Sequence, residues 1–374
     1  MPALSDYRRL VVKVGSSLLV DDQGQLNRRW LESLASDLAA LVRDGHQVVV
    51  VSSGAIAIGC EALGIGKARA RLDDLQAAAA VGQIQLMHTY QAILGDHGLA
   101  AAQVLMTPDD TENRRRFLNA RRTFGKLLER SVIPIVNEND TVATTEIRYG
   151  DNDRLAARIA QLVMADALVL LSDVDGLYTS DPRSSEAAEH VPDVKSISDA
   201  VQAMAGETGT GFGTGGMRTK VMAARIATHA GCSTIIASGT IDNALRALAD
   251  GARCTVFHAS GTPAIARKQW LAGVLEVPGE LRLDAGAVTA LRDGSSLLPV
   301  GVTSVSGEFG RGDVVSLKDA SGTEVGRGLA EYTSAEVSQL LGCQSAQIEA
   351  RLGYRGRSVL VHRDELVVFE NERD

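Results

Sequence analysis

Short, continuously apolar runs alternate with longer amphipathic stretches over roughly the first 260 residues of the chain. The apolar runs are rich in β-branched residues and end in glycine, serine or another polar residue, which predicts buried strands followed by turns. We predict strands at residues 10–14, 47–51, 102–106, 132–136, 167–171, 233–237 and 255–258. Apolar residues spaced by three and four predict helices at residues 26–43, 72–94, 113–129, 155–163 and 217–229.

The alternation of apolar strands and helices predicts an α/β fold, an open αβα sandwich with a mainly parallel sheet and helices on both faces. Functional groups then gather at the carboxyl ends of the strands. Polar clusters follow four of the predicted strands, at residues 15–17, 52–54, 137–140 and 172–175. We therefore expect the site at this edge of the sheet.

The pattern changes after Pro263, where short segments punctuated by turns replace the alternation. Such a texture predicts a small β-rich domain. We place the first domain at residues 1–262, a linker near residues 262–278 and the second domain at residues 279–360. A chain of 374 residues is long enough for two such domains.

Composition narrows the class of protein. The mean hydropathy of +0.02 is ordinary for a soluble globular protein. The net charge of −8 argues against bulk binding to nucleic acid or anionic lipid. No apolar run approaches the ~18 residues of a membrane span, and no signal peptide is visible. Cys60, Cys232, Cys254 and Cys343 are far apart, so we expect free thiols and a cytoplasmic location.

A glycine-rich tract at residues 209–216 formally contains the dinucleotide fingerprint GxGxxG. We reject the match because polar, flexible residues precede the tract, whereas the fingerprint must follow a strand. The tract leads into Lys220 at the start of a predicted helix, a place suited to phosphate. A surface loop with a solvated lysine fits the same pattern, and the sequence leaves both interpretations open.

The other candidates also have two interpretations each. Lys13 lies in an apolar strand before Gly15, which suits a phosphate grip, or else it is a lysine on an edge strand. Ser53 and Gly54 offer a hydroxyl and an N–H group, or else cap the next helix. The clusters at residues 137–140 and 150–153 could bind an ammonium group, orient lysines or hold metal-bound water, or else form turns and caps. Motifs of hydrolases and metalloproteases are absent from the sequence.

Taken together, these motifs resemble the glutamate 5-kinase family of the amino acid kinase superfamily, whose members carry a C-terminal PUA domain. The matching stretches occur in the expected order over nearly the whole chain. They are residues 11–18, 52–56, 116–121, 136–142, 146–153, 175–182 and 213–220, followed by residues 293–299 and 309–314 in the PUA part.

The resemblance implies ATP-dependent phosphorylation of the L-glutamate side-chain carboxylate, the first step of proline biosynthesis from glutamate. It implies that Lys13 and Lys220 stabilise the transferred phosphoryl group and that Asp153 orients them. Magnesium is expected on the ATP phosphates rather than on protein ligands. The residues implied for ATP are Lys13, Gly15, Ser172, Asp173, Thr214, Gly215, Gly216, Met217, Arg218, Thr219 and Lys220. Those implied for glutamate are Ser53, Gly54, Asp140 and Asn152.

Asp140 helps to choose the acceptor. A free α-ammonium group pairs with a carboxylate, whereas an acetylated amine would leave the carboxylate unpaired, so Asp140 in the pocket favours free glutamate. N-acetylglutamate kinase and aspartokinase are the alternatives within the class, and the PUA part and the 137–140 cluster speak against them. Ser16 and Arg148 stand where the family commonly has Thr and Lys, and we expect neither to change the reaction.

The resemblance also implies partners. It implies feedback inhibition by proline, a homo-oligomer (a tetramer or a dimer) and transfer of the product to glutamyl phosphate reductase. PUA modules of other proteins bind RNA. Residues 279–374 carry 10 basic and 15 acidic side chains, and this net charge of −5 argues against general RNA affinity. We expect a regulatory or assembly role for this domain, and no membrane partner.

Overall fold

The computed structural model describes residues 4–21, 23–66, 70–142, 152–185, 187–206 and 216–369. The chain divides into two compact units, Met1–Pro263 and Ala264–Asp374. Among the described residues of the first unit the strands are β1 (Arg9–Val14), β2 (Gln47–Val51), β3 (Ala101–Met106), β4 (Ile133–Glu138), β5 (Ala167–Ser172), β6 (Leu177–Tyr178), β7 (His190–Val191), β8 (Asp193–Val194), β9 (Ser233–Ser238) and β10 (Cys254–Phe257). The helices are α1 (Ser16–Leu19), α2 (Arg28–Arg43), α3 (Ala55–Leu63), α4 (Leu72–Asp96), α5 (Pro108–Glu112), α6 (Arg114–Glu129), α7 (Asn152–Val163), α8 (Asp199–Met204), α9 (Met217–His229) and α10 (Ala244–Ala249).

The first unit is built on an eight-stranded sheet in the order β3-β4-β2-β1-β5-β9-β10-β8. Every neighbouring pair in the sheet is parallel except β9 and β10, and β6 and β7 form a separate ribbon. The mainly parallel sheet predicted from the sequence is confirmed, and the predicted strands are present with ends shifted by at most two residues.

Helices cover both faces of this sheet. Side chains of β1 alternate between two apolar clusters, since Leu10 and Val12 point into one cluster and Val11 into the other. The first cluster includes residues of α2 and α4, and the second includes residues of α6, α7 and α9. Because β1 is buried from both sides, its continuous apolar sequence is the pattern expected of a central strand.

Helices α3 and α4 approach each other backbone to backbone. A Cβ atom added at Gly59 would lie 1.7 Å from the carbonyl oxygen of Ala78, and one added at Gly82 would lie 1.8 Å from that of Ala55. Only glycine permits this contact, which brings the buried face of α4 close to the end of β2.

The second unit contains strands β11 (Gly279–Leu283), β12 (Val302–Gly307), β13 (Val314–Lys318), β14 (Glu324–Leu329) and β15 (Leu366–Val368), with helices α11 (Pro263–Ala272), α12 (Ala285–Arg292), α13 (Ser334–Leu340) and α14 (Ile348–Leu352). The strands form one sheet in the order β12-β11-β13-β14-β15 over a separate apolar core. This is the small β-rich arrangement predicted from the sequence.

Residues 262–278, which we predicted as a linker, contain the ordered helix α11. Its Arg267 donates to Glu365 at 2.6 Å, and Arg327 donates to the carbonyl oxygens of Ala272 and Val274 at 3.0 and 2.5 Å. These polar contacts join the helical part of the predicted linker to the rest of the second unit, and the local composition does not reveal them.

Two expectations about chemistry concern the whole chain. All four cysteines are free and buried, as their spacing predicted. Over the residues that the structure describes, every helix is too short or too polar to span a bilayer.

Candidate active site

The polar clusters singled out in the sequence follow strands β1, β2, β4 and β5, which are parallel members of one sheet. Their carboxyl ends therefore lie along the same edge. Two helices also begin with the predicted residues, since α7 starts at Asn152 and α9 starts at Met217, after Gly216. The sequence placed the candidate residues correctly at the strand ends and at the start of α9, but not Asn152 and Asp153 at the start of α7.

Lys13, Asp153 and Lys220 form a buried ionic cluster. The Nζ atom of Lys13 lies 2.6 Å from Oδ1 of Asp153, and Nζ of Lys220 lies 3.5 Å from Oδ2 of the same carboxylate. Asp153 is fully buried, and each lysine is 5% exposed. Since β1 pairs with β2 on one side and β5 on the other, the alternative of Lys13 as an edge-strand residue is wrong.

Close packing of α7 against α9 brings the carboxylate to Lys220. Small residues fill the contact, and they are fully buried: Ala156, Ala157 and Ala160 on α7, with Ala223, Ala224 and Ala227 on α9. Because alanine side chains let helix backbones approach, the first turn of α7 and the first turn of α9 lie side by side. Asp153 in one turn then meets Lys220 in the other.

Burial and neighbouring charges act in opposite directions on the groups of this cluster. Burial raises the pKa of Asp153, but the charges of Lys13 and Lys220 outweigh burial and hold that pKa below its ordinary value. Burial lowers the pKa of Lys220, and the charge of Lys13 lowers it further, while Asp153 and then Asp173 act in the opposite direction. The carboxylate of Asp153 therefore contacts both lysine ammonium groups and offsets their mutual repulsion.

The start of α9 has free capacity for an anion. Its cap residue, Gly216, provides no side-chain cap, which leaves the first turn to other partners. The hydroxyl of Thr219 lies 2.8 Å from both Oδ2 of Asp153 and the carbonyl oxygen of Gly216. Met217 is partly buried and Arg218 is exposed. Positive ends of helix dipoles and lysine ammonium groups suit phosphate, so the phosphate interpretation of this segment is favoured.

Ser172, Asp173 and Gly15 lie near this helix start, at the ends of β5 and β1. Ser172 is buried and donates from its hydroxyl to Asp173 at 2.9 Å, while Asp173 is exposed. Gly15 has an ordinary extended conformation, and a Cβ there would make only normal contacts. By contrast, Gly54 has φ +99° and an added Cβ would lie 2.9 Å from Val20, so glycine is required at position 54.

Two of the residues predicted to bind glutamate, Ser53 and Asn152, contact each other through their side chains. The Nδ2 atom of Asn152 lies 2.8 Å from Oγ of Ser53, 2.9 Å from the carbonyl oxygen of Ser52 and 3.0 Å from Oδ1 of Asn137. Gly54 occupies the cap position of α3, so the interpretation of this segment as a helix cap is confirmed for Gly54, without a side-chain hydrogen bond. The serine side chain instead faces Asn152.

Asp140 lies in a short turn just past β4. It is 8% exposed, and burial together with the nearby charge of Glu138 raises its pKa to about 7. A carboxyl group held in this state gains much from a cationic partner, because the partner's charge offsets the cost of burial.

Sequence reasoning missed two buried polar residues of α4. Gln83 accepts a hydrogen bond from Asn137 at 2.8 Å, and the hydroxyl of Tyr90 lies 3.1 Å from that of Ser52. They are seven residues apart, two helical turns, and so share one face of α4. A polar pair on the buried face of an alanine-rich helix is the signal that could have found them.

Some predictions fall outside the described residues. Thr214 and Gly215, the rest of the glycine tract, Arg148 and residues 150–151 of the second acidic cluster belong to this group. Among the residues that the structure describes, no group of three or more His, Cys, Asp or Glu side chains is placed to hold a metal ion.

Comparisons with known proteins agree with this architecture. The profile of the amino acid kinase family matches residues 8–238, and that of the PUA domain matches residues 279–352. Glutamate 5-kinase of Paramagnetospirillum magneticum is 53% identical over 369 residues, which cover 98% of this chain and all of that protein. Glutamate 5-kinase of Rhodopseudomonas palustris (strain BisB5) is 52% identical over 98% of both chains. The chain belongs to the glutamate 5-kinase family.

Membership of the glutamate 5-kinase family confirms the amino acid kinase fold, with a central, mostly parallel sheet, and the C-terminal PUA domain predicted from the sequence. Among solved structures, the UMP kinase of Bacillus anthracis is 17% identical and covers 68% of this chain and 98% of its own, with a TM-score of 0.47.

Proposed function

We propose that the chain transfers the γ-phosphoryl group of ATP to the side-chain carboxylate of L-glutamate, giving L-glutamyl 5-phosphate and ADP, as the first step of proline biosynthesis. The observation that carries this proposal is the buried cluster of Lys13, Asp153 and Lys220 at the carboxyl edge of the sheet. Two buried cations can stabilise the negative charge that moves when a phosphoryl group passes from one anion, ATP, to another, the glutamate carboxylate.

The reaction needs charge stabilisation more than it needs a base. A glutamate side chain has a reference pKa near 4.3, so the nucleophile is already ionised at neutral pH. The barrier lies in bringing this anion against a triphosphate, and fixed cations and N–H dipoles lower it. Lys13 and Lys220 fit this role from two sides, with Asp153 orienting both.

We assign the residues of the nucleotide side from their positions at the start of α9 and at the ends of β1 and β5. The uncapped start of α9, from Gly216 through Lys220, together with Gly15 and the Ser172–Asp173 pair, would hold the phosphates of ATP. Thr214 and Gly215 complete this assignment by resemblance alone. Mg²⁺ bound to the phosphates would neutralise part of their charge.

The glutamate side of the site follows from the polar groups after β2 and β4. Asp140 would pair with the α-ammonium group, and Asn152, held by Ser53, would hydrogen-bond to the amino acid. Gly54 would bring its backbone close to the acceptor, since its conformation excludes a side chain. Proline inhibition, a homo-oligomer, hand-over to glutamyl phosphate reductase and a cytoplasmic location stay predictions.

The first experiment measures ADP release from Mg-ATP with glutamate, aspartate or N-acetylglutamate, each with and without proline. Hydroxylamine traps the acyl phosphate as a hydroxamate. We expect hydroxamate from glutamate alone. Activity on another acid instead would discard the substrate and keep the fold, and no activity on any acid would refute the proposal.

A second experiment tests the role of Lys220. We expect Lys220→Ala to lower turnover by about 10²-fold or more, because a charge-stabilising group is lost from the transition state. Its fold should persist, since Asp153 keeps Lys13 as a partner. Lys126→Ala is the matched control, because that lysine is exposed and pairs with Glu129 three residues further along the same helix. Near-normal turnover of Lys220→Ala would contradict the assignment.

A further inference from the structure

Thr219, in the first turn of α9, uses both of its donor groups within the protein. Its backbone N–H donates to the carbonyl oxygen of Gly216 at 3.1 Å. Its hydroxyl, which has one hydrogen, lies 2.8 Å from that same carbonyl oxygen and 2.8 Å from Oδ2 of Asp153. A carbonyl and an ionised carboxylate can only accept, so the hydroxyl is the donor in both contacts. In this arrangement Thr219 has no hydrogen left for a phosphate of ATP.

The carboxylate of Asp153 is the stronger acceptor of the two, because hydrogen bonds to an ionised group are about twice as strong as those between neutral groups. The hydroxyl of Thr219 is also the closer partner of Oδ2, at 2.8 Å, whereas Nζ of Lys220 lies 3.5 Å away. The other oxygen, Oδ1, faces Lys13 at 2.6 Å. Thr219 and Lys13 therefore hold opposite ends of the carboxylate, and Thr219 joins the first turn of α9 to that of α7.

Threonine is a more rigid donor than lysine. Branching at Cβ restricts its side chain to few rotamers, and the contact with the carbonyl oxygen of Gly216 selects the rotamer that faces Asp153. A lysine reaches a carboxylate through a flexible four-carbon stem, so its charge follows the carboxylate more readily than it fixes it. The hydroxyl of Thr219 is therefore the contact that sets the direction of Oδ2.

We propose that Thr219 is a positioning residue for phosphoryl transfer: its hydroxyl fixes the carboxylate of Asp153, and through it the ammonium groups of the two lysines in the cluster, instead of binding ATP. This inference rests on the proposed function and changes one assignment that the resemblance implied. The phosphate contacts at the start of α9 then come from its other residues. A positioning residue acts on turnover, whereas a phosphate ligand acts on the affinity for ATP as well.

The test compares variants of two threonines on α9. Thr219→Val keeps the shape and removes the hydroxyl, and Thr219→Ser keeps the hydroxyl. Thr228→Val is the matched control, because Thr228 is also partly buried and its hydroxyl donates to the carbonyl oxygen of Ala224 at 2.8 Å, nine residues further along the helix. We expect Thr219→Val to lower kcat about ten-fold or more, the factor for one hydrogen bond to a charged group. KM for ATP, and the dissociation constant of the non-hydrolysable analogue AMP-PNP with Mg²⁺, should stay within about two-fold of the parent values.

The conservative and control variants separate positioning from general damage. Thr219→Ser should keep kcat within about three-fold of the parent value, because serine retains the donor but has a freer rotamer. Thr228→Val should match the parent protein. Thr219→Ala, which also lacks the hydroxyl and cannot overpack, should repeat the result of Thr219→Val.

Three outcomes would overturn the inference. They are a dissociation constant for AMP-PNP raised about five-fold or more in Thr219→Val, an unchanged kcat in the folded Thr219→Val or Thr219→Ala, and an equal fall of kcat in Thr219→Ser or Thr228→Val. AMP-PNP binding needs no acceptor, so it decides whether Thr219 binds nucleotide whatever the acid. Failure of the parent protein to phosphorylate glutamate would instead refute the proposed function.

Discussion

Replacing Asp153 by asparagine would test the ionic cluster most directly. The change removes one charge and leaves the shape almost unaltered, so Lys13 and Lys220 would lose the carboxylate that they share in a buried space. With an effective dielectric constant of about 20, charges at 2.6 and 3.5 Å attract by about 6 and 5 kcal/mol before the cost of removing them from water. After that cost, loss of the shared partner of a buried pair lowers the free energy of unfolding by about 3–5 kcal/mol.

The same change should lower turnover. Asp153 raises the pKa of Lys220 against the effect of burial, so its removal lets Lys220 lose its proton at a lower pH. We expect a loss of about 10²-fold or more in turnover at neutral pH, with activity falling further as the pH rises. The matched control is Asp242→Asn, which breaks the exposed pair with Arg29 and should cost at most about 1 kcal/mol.

The assay is urea denaturation with and without saturating Mg-ATP, together with ADP release. Without nucleotide, the cost of Asp153→Asn should be full at neutral pH and should disappear in acid. The lowered pKa of Asp153 contributes stability that is complete above the pKa of the unfolded state and is lost as the pH falls through the lower pKa of the folded state. If the phosphates of ATP bind at these lysines as proposed, they supply negative charge there and the cost should shrink with nucleotide. An equal cost in both states, or an unchanged free energy of unfolding, would refute the reasoning.

Two further predictions concern helix α4 and the carboxyl group of Asp140. Gly82→Ala should lower the free energy of unfolding, measured in urea, by about 3 kcal/mol or more, because its Cβ would overlap the carbonyl oxygen of Ala55. Gly95→Ala, which has open space around it, should raise the free energy of unfolding by about 0.5–1 kcal/mol. Equal effects of the two changes would contradict the backbone contact. Because burial and Glu138 raise the pKa of Asp140 to about 7, its contribution to stability is present below about pH 4 and is lost as the pH rises through 7, so Asp140→Asn should be more stable than the parent above pH 7 and not in acid. KM for glutamate should fall over the same rise in pH, as the ionised carboxylate pairs with ammonium, and a KM independent of pH would contradict that pairing.

Strand positions were predictable because β1, β2 and β5 are buried on both faces and so are continuously apolar. The edge of the sheet that carries the site was also predictable, because parallel strands bring Gly15, Ser53 and Ser172 to the same edge. The start of α7 was not predictable from periodicity. Periodicity begins the helix at Leu155, but it begins at Asn152, because tertiary contacts bury the polar residues of its first turn.

Burial of a polar side chain depends on partners that are distant in sequence. Asp153 is buried because Lys13 and Lys220 approach it from two other elements. Gln83 is buried because Asn137, 54 residues further along, offers it a donor. No local pattern contains such information, whereas the resemblance to a family supplied the lysines and Asp153 but not Gln83.

The two ends of the site solve different electrostatic problems. At the proposed phosphate end, Lys13 and Lys220 supply positive charge, and the carboxylate of Asp153 offsets their mutual repulsion. At the amino acid end, a second fixed carboxylate in place of Asn152 would repel both carboxylates of glutamate. Neutral amides avoid that repulsion, but an amide has two different ends and must be held in one orientation. The carbonyl oxygen of Ser52, which can only accept, holds the amide of Asn152 in one orientation without adding charge.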